Sequence, residues 1–409
     1  MNNTWYLNRF ATVALGALNL QDGQNLAIKV EPENLDAALA VATMAYRRGA
    51  RYVELWPESS RLERCRIDNS DGAHLEYVPS HRQARNQEFL EGKWALLSIK
   101  SPVDPAVMEG ASASRAGVVA RAMSIADQQL RRGLSNDETQ WVVMAVPSPK
   151  WAAQVMAMED EQQALAAMWE AMVPILRLDR DDPVSFWQEH GLVLDARAGD
   201  LTRRRIRTLH FTGSGTDLKI HLHDKAIWKG GGAWTQGGLR FAPNVPTEEV
   251  FTTPDCRKTS GRVQFSRPVR VFGQLVSGGW MEFKDGAVVD FGAQEGQDVL
   301  GAFLDVDPGS RFVGEIALVD CSSPIFQSGL LFHNILLDEN AACHFALGFA
   351  YPTCVEGGAR MNDDELDAVG ANRSRQHLDF MIGNETMSIT AETADGTTFS
   401  VMENGRFTL

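Results

Sequence analysis

The chain has few cysteines and none in a paired spacing: Cys65, Cys256, Cys321, Cys343 and Cys354 are five in 409 residues, with no Cys-x-x-Cys among them. An odd, scattered set argues against a disulfide framework and for a reducing, cytoplasmic setting. Also missing is any apolar run of the ~18 residues that a membrane span needs. Phe10 to Leu20 follows Arg9 and superficially resembles a signal-peptide core, but it lacks a clustered basic start and runs through Gln21-Asp22-Gly23 into a strand-like segment. It reads instead as a first amphipathic helix. Positive charge is scarce, with 39 Lys and Arg against 53 Asp and Glu and a formal net charge of -14. That balance repels the phosphates of nucleic acid and of anionic membranes. No Gly-x-Gly-x-x-Gly follows the first strand-like run, which removes the argument for a dinucleotide. No Gly-x-Ser-x-Gly elbow is present either, which counts against an α/β-hydrolase.

What is present is the composition of a soluble globular protein, 44% hydrophobic and 22% charged. The length calls for two domains. In the first half strand-like and helix-like segments alternate. Leu26 to Val30 reads as a strand, Asn34 to Arg48 as a helix ended by Gly49-Ala50, and Tyr52 to Trp56 as a second strand. This βαβ pattern implies a mostly parallel sheet. It continues through a strand at Trp94 to Ile99, a helix at Ser114 to Arg132 and a strand at Gln140 to Val146. A turn at Pro147-Ser148-Pro149 then leads into a long helical stretch ending near Leu176.

After a helix beginning at Pro183 the texture changes. From Leu209 onward β-branched and aromatic residues separated by glycine turns dominate, as in Asp217 to Leu222, Gly261 to Phe265 and Gly286 to Phe291. We therefore expect an α/β N-terminal domain over residues 1–185 and an α+β C-terminal domain with a substantial antiparallel sheet over residues 186–409.

The last third holds charged residues in apolar surroundings, where they are costly unless paired or metal-bound. In Asn244 to Pro254, Glu248 and Glu249 are adjacent in an extended segment, so at most one faces a given site. By itself this run reads more simply as a solvated acidic loop. Glu315 is the one acid in the apolar strand Arg311 to Val319, where an edge open to water would also accommodate it. His344 lies among small apolar residues after Asp338-Glu339-Asn340, a place more often taken by a hydrogen-bonded core histidine. His377-Leu378-Asp379 presents an imidazole and a carboxylate on one strand face, a combination that suits zinc, cobalt or manganese. His221 and His223 form a competing pair, but Lys219, Asp224 and Lys225 around them suggest a solvated face. Gly230 to Gly238 has no P-loop lysine in register and reads as a flexible loop rimming the cleft. Cys343 has no base arrangement nearby and reads as a small buried residue.

Taken in order, these runs resemble the thermophilic metallo-aminopeptidase family, the group of aminopeptidases T and S. The similarity is carried by Pro246 to Thr252, Gly314-Glu315, Asp338-Glu339-Asn340 with His344 and Tyr351-Pro352, and His377 to Gly383. Gly213 to Leu218, Trp141 to Ala152 and Gly49 to Val53 extend it to nearly the whole chain. The segment between Arg61 and Glu91 departs from the family pattern.

The resemblance implies two divalent metal ions (Zn, Co or Mn) held by Glu249, Glu315, His344, His377 and Asp379, with Tyr351 close to the reacting centre. It also implies a homodimer acting on peptides. Such a centre would activate water for removal of N-terminal residues, with Tyr351 donating to the oxyanion and Glu249 or Glu315 shuttling the proton. Two alternatives share the ligand set: a dinuclear hydrolase of a non-peptide amide or ester, and a non-catalytic metal-binding relative.

Overall fold

The computed structural model describes residues 3–409. The chain divides into two units. One comprises residues up to Gln188 together with Gly232–Pro246, and the other comprises Glu189–Gly231 and Thr247–Leu409.

In the first unit the expected βαβ alternation forms a four-stranded parallel sheet in the order Tyr52–Pro57, Asn25–Val30, Ala95–Ile99, Trp141–Met144. Helices Asn3–Leu18 and Leu35–Arg47 precede and follow the first strand. Strand Ala95–Ile99 is buried along its whole length, as apolar strands of a parallel sheet are. Two long helical stretches are each broken once. The Ser114 to Arg132 segment divides at Asp127, whose carboxylate is held by Arg82 Nε at 2.7 Å and Asn86 Nδ2 at 2.8 Å. The stretch after Pro149 stops at Ala157, which adopts φ 52, and restarts after Asp160, whose carboxylate accepts from Gln162 and Gln163 N–H. Gly232–Pro246 contributes a small hairpin, Ala233–Trp234 against Arg240–Phe241. The glycine-rich run is thus partly strand-paired, contrary to the flexible loop expected there.

Helix Pro183–Arg203 begins in the first unit and continues into the second, where it leads into an eight-stranded antiparallel sheet. Its order is Ala287–Gly292, Trp280–Lys284, Thr259–Gln264, Thr216–His221, Ile206–Gly213, Ser388–Thr393, Thr398–Glu403, Arg406–Phe407. A separate five-stranded sheet runs His377–Met381, His344–Gly348, Val313–Val319, Glu249–Thr252, Lys229–Gly230, antiparallel throughout. Leu209, Phe211, Ile220 and Met281 of the larger sheet join Val250, Ile316, Leu318, Phe345 and Phe380 of the smaller in one buried cluster. The α/β and α+β classes read from the sequence are both observed.

Candidate metal centre

The five-stranded sheet has one apolar face and one face that carries the charges. Successive strand residues point to opposite sides. On the central strand Ile316 and Leu318 therefore turn to the core, and Glu315, Ala317 and Val319 turn away. Register then fixes their neighbours. Ala317 pairs with His344, Glu315 with Ala346 and through it Asp379, and Val319 with Glu249. His377, two residues before Asp379, shares that face. The opposite face is Val250, Ile316, Leu318, Phe345 and Phe380, with the last two rings stacked 5.5 Å apart. Three of the ligand strands thus alternate large apolar with polar or small residues. At Gly348, opposite His377, φ is 105 and a Cβ would lie 2.1 Å from Gln376 O.

The side chains converge. Glu249, Glu315 and His344 offer donor atoms within 4.8 Å of one another, and so do Glu315, His377 and Asp379. Glu315 belongs to both groups. His344 Nε2 is 3.3 Å from Glu249 Oε2, and His377 Nε2 is 3.3 Å from Glu315 Oε2 and 3.4 Å from Asp379 Oδ1. Each ring is aimed from behind. His344 Nδ1 lies 3.1 Å from Ala342 O and His377 Nδ1 2.8 Å from Phe349 O. A proton donated to each carbonyl leaves Nε2 to face the carboxylates. The Tyr351 ring stands edge-on to His377 at 5.2 Å and is braced by Phe251 and Phe349, each at 5.9 Å.

Glu248, next to Glu249, turns instead to His190, with Oε2 3.2 Å from Nε2. Both acids are buried, so this run is not a solvated loop. Neither His221 nor His223 belongs to the cluster. His223 is 8% exposed, a correction to the solvated face expected for that pair. It lies just past the strand end, where alternation no longer sets the facing. Cys343 is buried, its thiol bonded to Val319 and pushed up to about 12 by burial, so it is no nucleophile.

One residue escaped the sequence reading. Glu339 sits on a short turn, Glu339–Ala341, and its carboxyl is pushed well above the ordinary range by burial first and then by Glu249 and Asp379. Its flanking residues build the turn. The Asp338 carboxylate accepts from Phe332 and Asn334 N–H at 2.8 and 3.0 Å, and Asn340 Oδ1 accepts from Glu248 N–H at 2.7 Å. Only the polar tripeptide interrupting an apolar run could have pointed to it.

The charge balance tests whether a cation belongs here. Burial, aided by Glu249 and Asp379 and opposed by His377, raises Glu315. Burial favours neutral imidazoles, yet His344 is pushed up to about 10 by Glu249, Asp379 and Glu315. His377 is raised well above its usual value by Tyr351, Asp379 and Glu315. Asp379 falls below its usual range despite burial, chiefly through His377. Glu249 Oε2 is buried and faces His344 Nε2 at 3.3 Å without a well-formed hydrogen bond. Buried carboxylates in excess over two imidazoles form a donor set that fits divalent cations of the kind that take mixed nitrogen and oxygen ligands.

A one-faced cluster of imidazole and carboxylate donors on an antiparallel sheet is the donor set of a divalent-metal protein. Comparison with known proteins gives the particular family. The thermophilic metalloprotease (M29) profile matches residues 4–407. Aminopeptidase 2 of Geobacillus stearothermophilus is 35% identical over 408 residues, 99% of this chain and 98% of that one. Aminopeptidase T of Thermus aquaticus is 36% identical over 405 residues, 98% of each. The solved structure of wild-type AmpT from Thermus thermophilus matches with a TM-score of 0.92 at 33% identity, covering 99% of both chains. The chain belongs to the thermophilic metalloprotease family and is an enzyme of its hydrolase class, as the resemblance implied.

Proposed function

We propose that this chain is a dinuclear metallo-aminopeptidase that removes N-terminal residues from peptides. The observation that supports it most is the double membership of Glu315, the one carboxylate shared by two overlapping donor groups. In this reading Glu315 bridges two sites, His344 and Glu249 complete one, and His377 and Asp379 complete the other. Bound Zn, Co or Mn would supply a water of near-neutral pKa and a Lewis acid for the scissile carbonyl.

The chain's own residues do the rest. Tyr351 keeps its phenol proton: His377 is the largest influence and acts to lower its pKa, but burial with Glu315, Asp379 and Glu339 raises it overall. It donates that O–H to the oxyanion of the tetrahedral intermediate. Glu339 stands outside both donor groups yet close enough to feel the charges of Glu249 and Asp379, and in this reading it takes a proton from the attacking water and passes it to the leaving amine. That leaves Glu249 and Glu315, the two acids the sequence offered for this step, as ligands.

Full-length protein stripped with chelator and assayed on aminoacyl chromogenic substrates tests the reading. Activity is expected to vanish, return with Co, Zn or Mn, and require a free α-amine. Full activity after stripping, or in His377→Ala, overturns it, and cleavage of N-acylated substrates favours the amide or ester hydrolase instead. The resemblance also supports a homodimer, which light scattering measures. The five free cysteines fit a reducing compartment, and no helix among the described residues is long and apolar enough to cross a membrane.

A further inference from the structure

Where the end of helix Pro183–Arg203 and the start of strand Ile206–Gly213 meet residues 222–228, the second unit holds a cavity of about 280 Å³ that the metal centre does not use. Its apolar lining includes Leu222 and Trp228, both at most 5% exposed. Arg205, Arg207 and His223 bring nitrogen donors to it, and Ala394 lies at an exposed turn on its rim.

His223 is the telling member. Backbone N–H of Lys225 donates to its Nδ1 at 3.2 Å, so Nδ1 carries no proton. Burial lowers the ring's pKa to about 4, against the pull of Asp255, which keeps the imidazole neutral at neutral pH. The proton therefore sits on Nε2, and that buried atom has no hydrogen-bond partner. A donor left unmatched inside a protein calls for an acceptor. The guanidiniums add positive charge. Arg207 pairs with the carboxylate of Asp224, a side chain that is itself mostly exposed, and Arg205 Nη1 is 3.4 Å from Asp224 O. Each guanidinium has five N–H donors, so these contacts leave several for an incoming group.

We propose that this cavity binds a small organic carboxylate with a short aliphatic body, its carboxylate on Arg205 and Arg207 beside the buried, unmatched His223, and its hydrocarbon on Leu222 and Trp228. Two sources present that chemistry, a free aliphatic amino acid and a short branched fatty acid. Asp224, beside both guanidiniums, offers an acceptor for the ammonium of the first.

Isothermal titration of the metal-loaded full-length protein with 4-methylpentanoate, L-leucine and 4-methylpentan-1-ol tests the assignment. Saturable heat from the two acids and none from the alcohol is expected. Tighter L-leucine identifies the amino acid as the source, and tighter 4-methylpentanoate the fatty acid. Carboxylate bound at the metal centre is separated by Arg205→Gln, which removes one guanidinium, and Ala394→Trp, which crowds the cavity from an exposed turn. Each is expected to weaken binding about tenfold or more, the scale of one charge-assisted hydrogen bond, with the melting temperature unchanged. No saturable heat at about 10 mM, equal heat from the alcohol, or affinity unchanged in either variant overturns the proposal.

Discussion

Replacing Glu315 by glutamine is expected to abolish activity and, in the metal-free protein, to raise stability. Glu315 lies within 4.8 Å of donor atoms on Glu249 and Asp379. At an effective dielectric near 20, each such carboxylate pair repels by about 3 kcal/mol. The opposing pulls of a charged His377, 3.3 Å away, and of a charged His344, within 4.8 Å, are about 5 and about 3 kcal/mol on the same scale. These charges leave a net pull of about 2 kcal/mol, which a burial cost of several kcal/mol per ion exceeds by about 2 kcal/mol, in the direction of the raised pKa of Glu315, whose largest cause is burial. Removing the charge is expected to recover an amount of that order, roughly 4–8 °C for a unit of 150–250 residues. With metal present the ranking reverses. Each occupied site adds about 2.7 kcal/mol at a hundredfold excess over its Kd, and the variant, lacking the shared ligand, gains little. Differential scanning calorimetry of both proteins, stripped and reloaded, reads all four states. A stripped Glu315→Gln protein that melts below stripped wild type would refute the reasoning, since the carboxylate would then be held by local contacts rather than destabilised for a cation.

Three further outcomes follow from particular contacts. Tyr351→Phe keeps the ring packing against His377, Phe251 and Phe349 but removes the O–H, so kcat is expected to fall about 10²–10³-fold with KM and metal content little changed; an unchanged kcat removes Tyr351 from the oxyanion. Glu339→Gln is expected to lower kcat about 10²–10⁴-fold while retaining both metals by elemental analysis, and loss of metal would make Glu339 a ligand instead. His223 has its folded pKa lowered from 6.5 to about 4 by burial, so the folded state binds fewer protons than the unfolded one. Its contribution is present above pH 6.5 and is lost as pH falls toward 4, by up to about 3 kcal/mol. Denaturant unfolding of His223→Gln should show a shallower acid loss than wild type between those limits, and equal slopes would contradict the assignment.

Much of this fold was legible because its strands announce their own faces. His344-Phe345-Ala346-Leu347-Gly348 alternates strictly and Glu315-Ile316-Ala317-Leu318-Val319 does so up to Val319, and the structure puts the first, third and fifth residues of each on the charged side. What the sequence could not give was register. Glu315 meets Asp379 only through Ala346, and Glu249 meets the centre only because Val319 stands opposite it. Glu339 escaped because a turn has no alternation to read, and its role depends on which carboxylates other strands bring near. The break at Asp127 is likewise set from outside the helix, by Arg82 and Asn86. The break after Ala157 was more readable, since Asp160 is a good N-cap.

The central claim, two cations sharing Glu315, is tested most directly by counting metals. Inductively coupled plasma mass spectrometry of reconstituted wild type should give two divalent ions per chain. His344→Ala and His377→Ala should each keep one, and Glu315→Gln should keep neither at stoichiometric metal. One ion in wild type, or two retained by Glu315→Gln, would contradict the account.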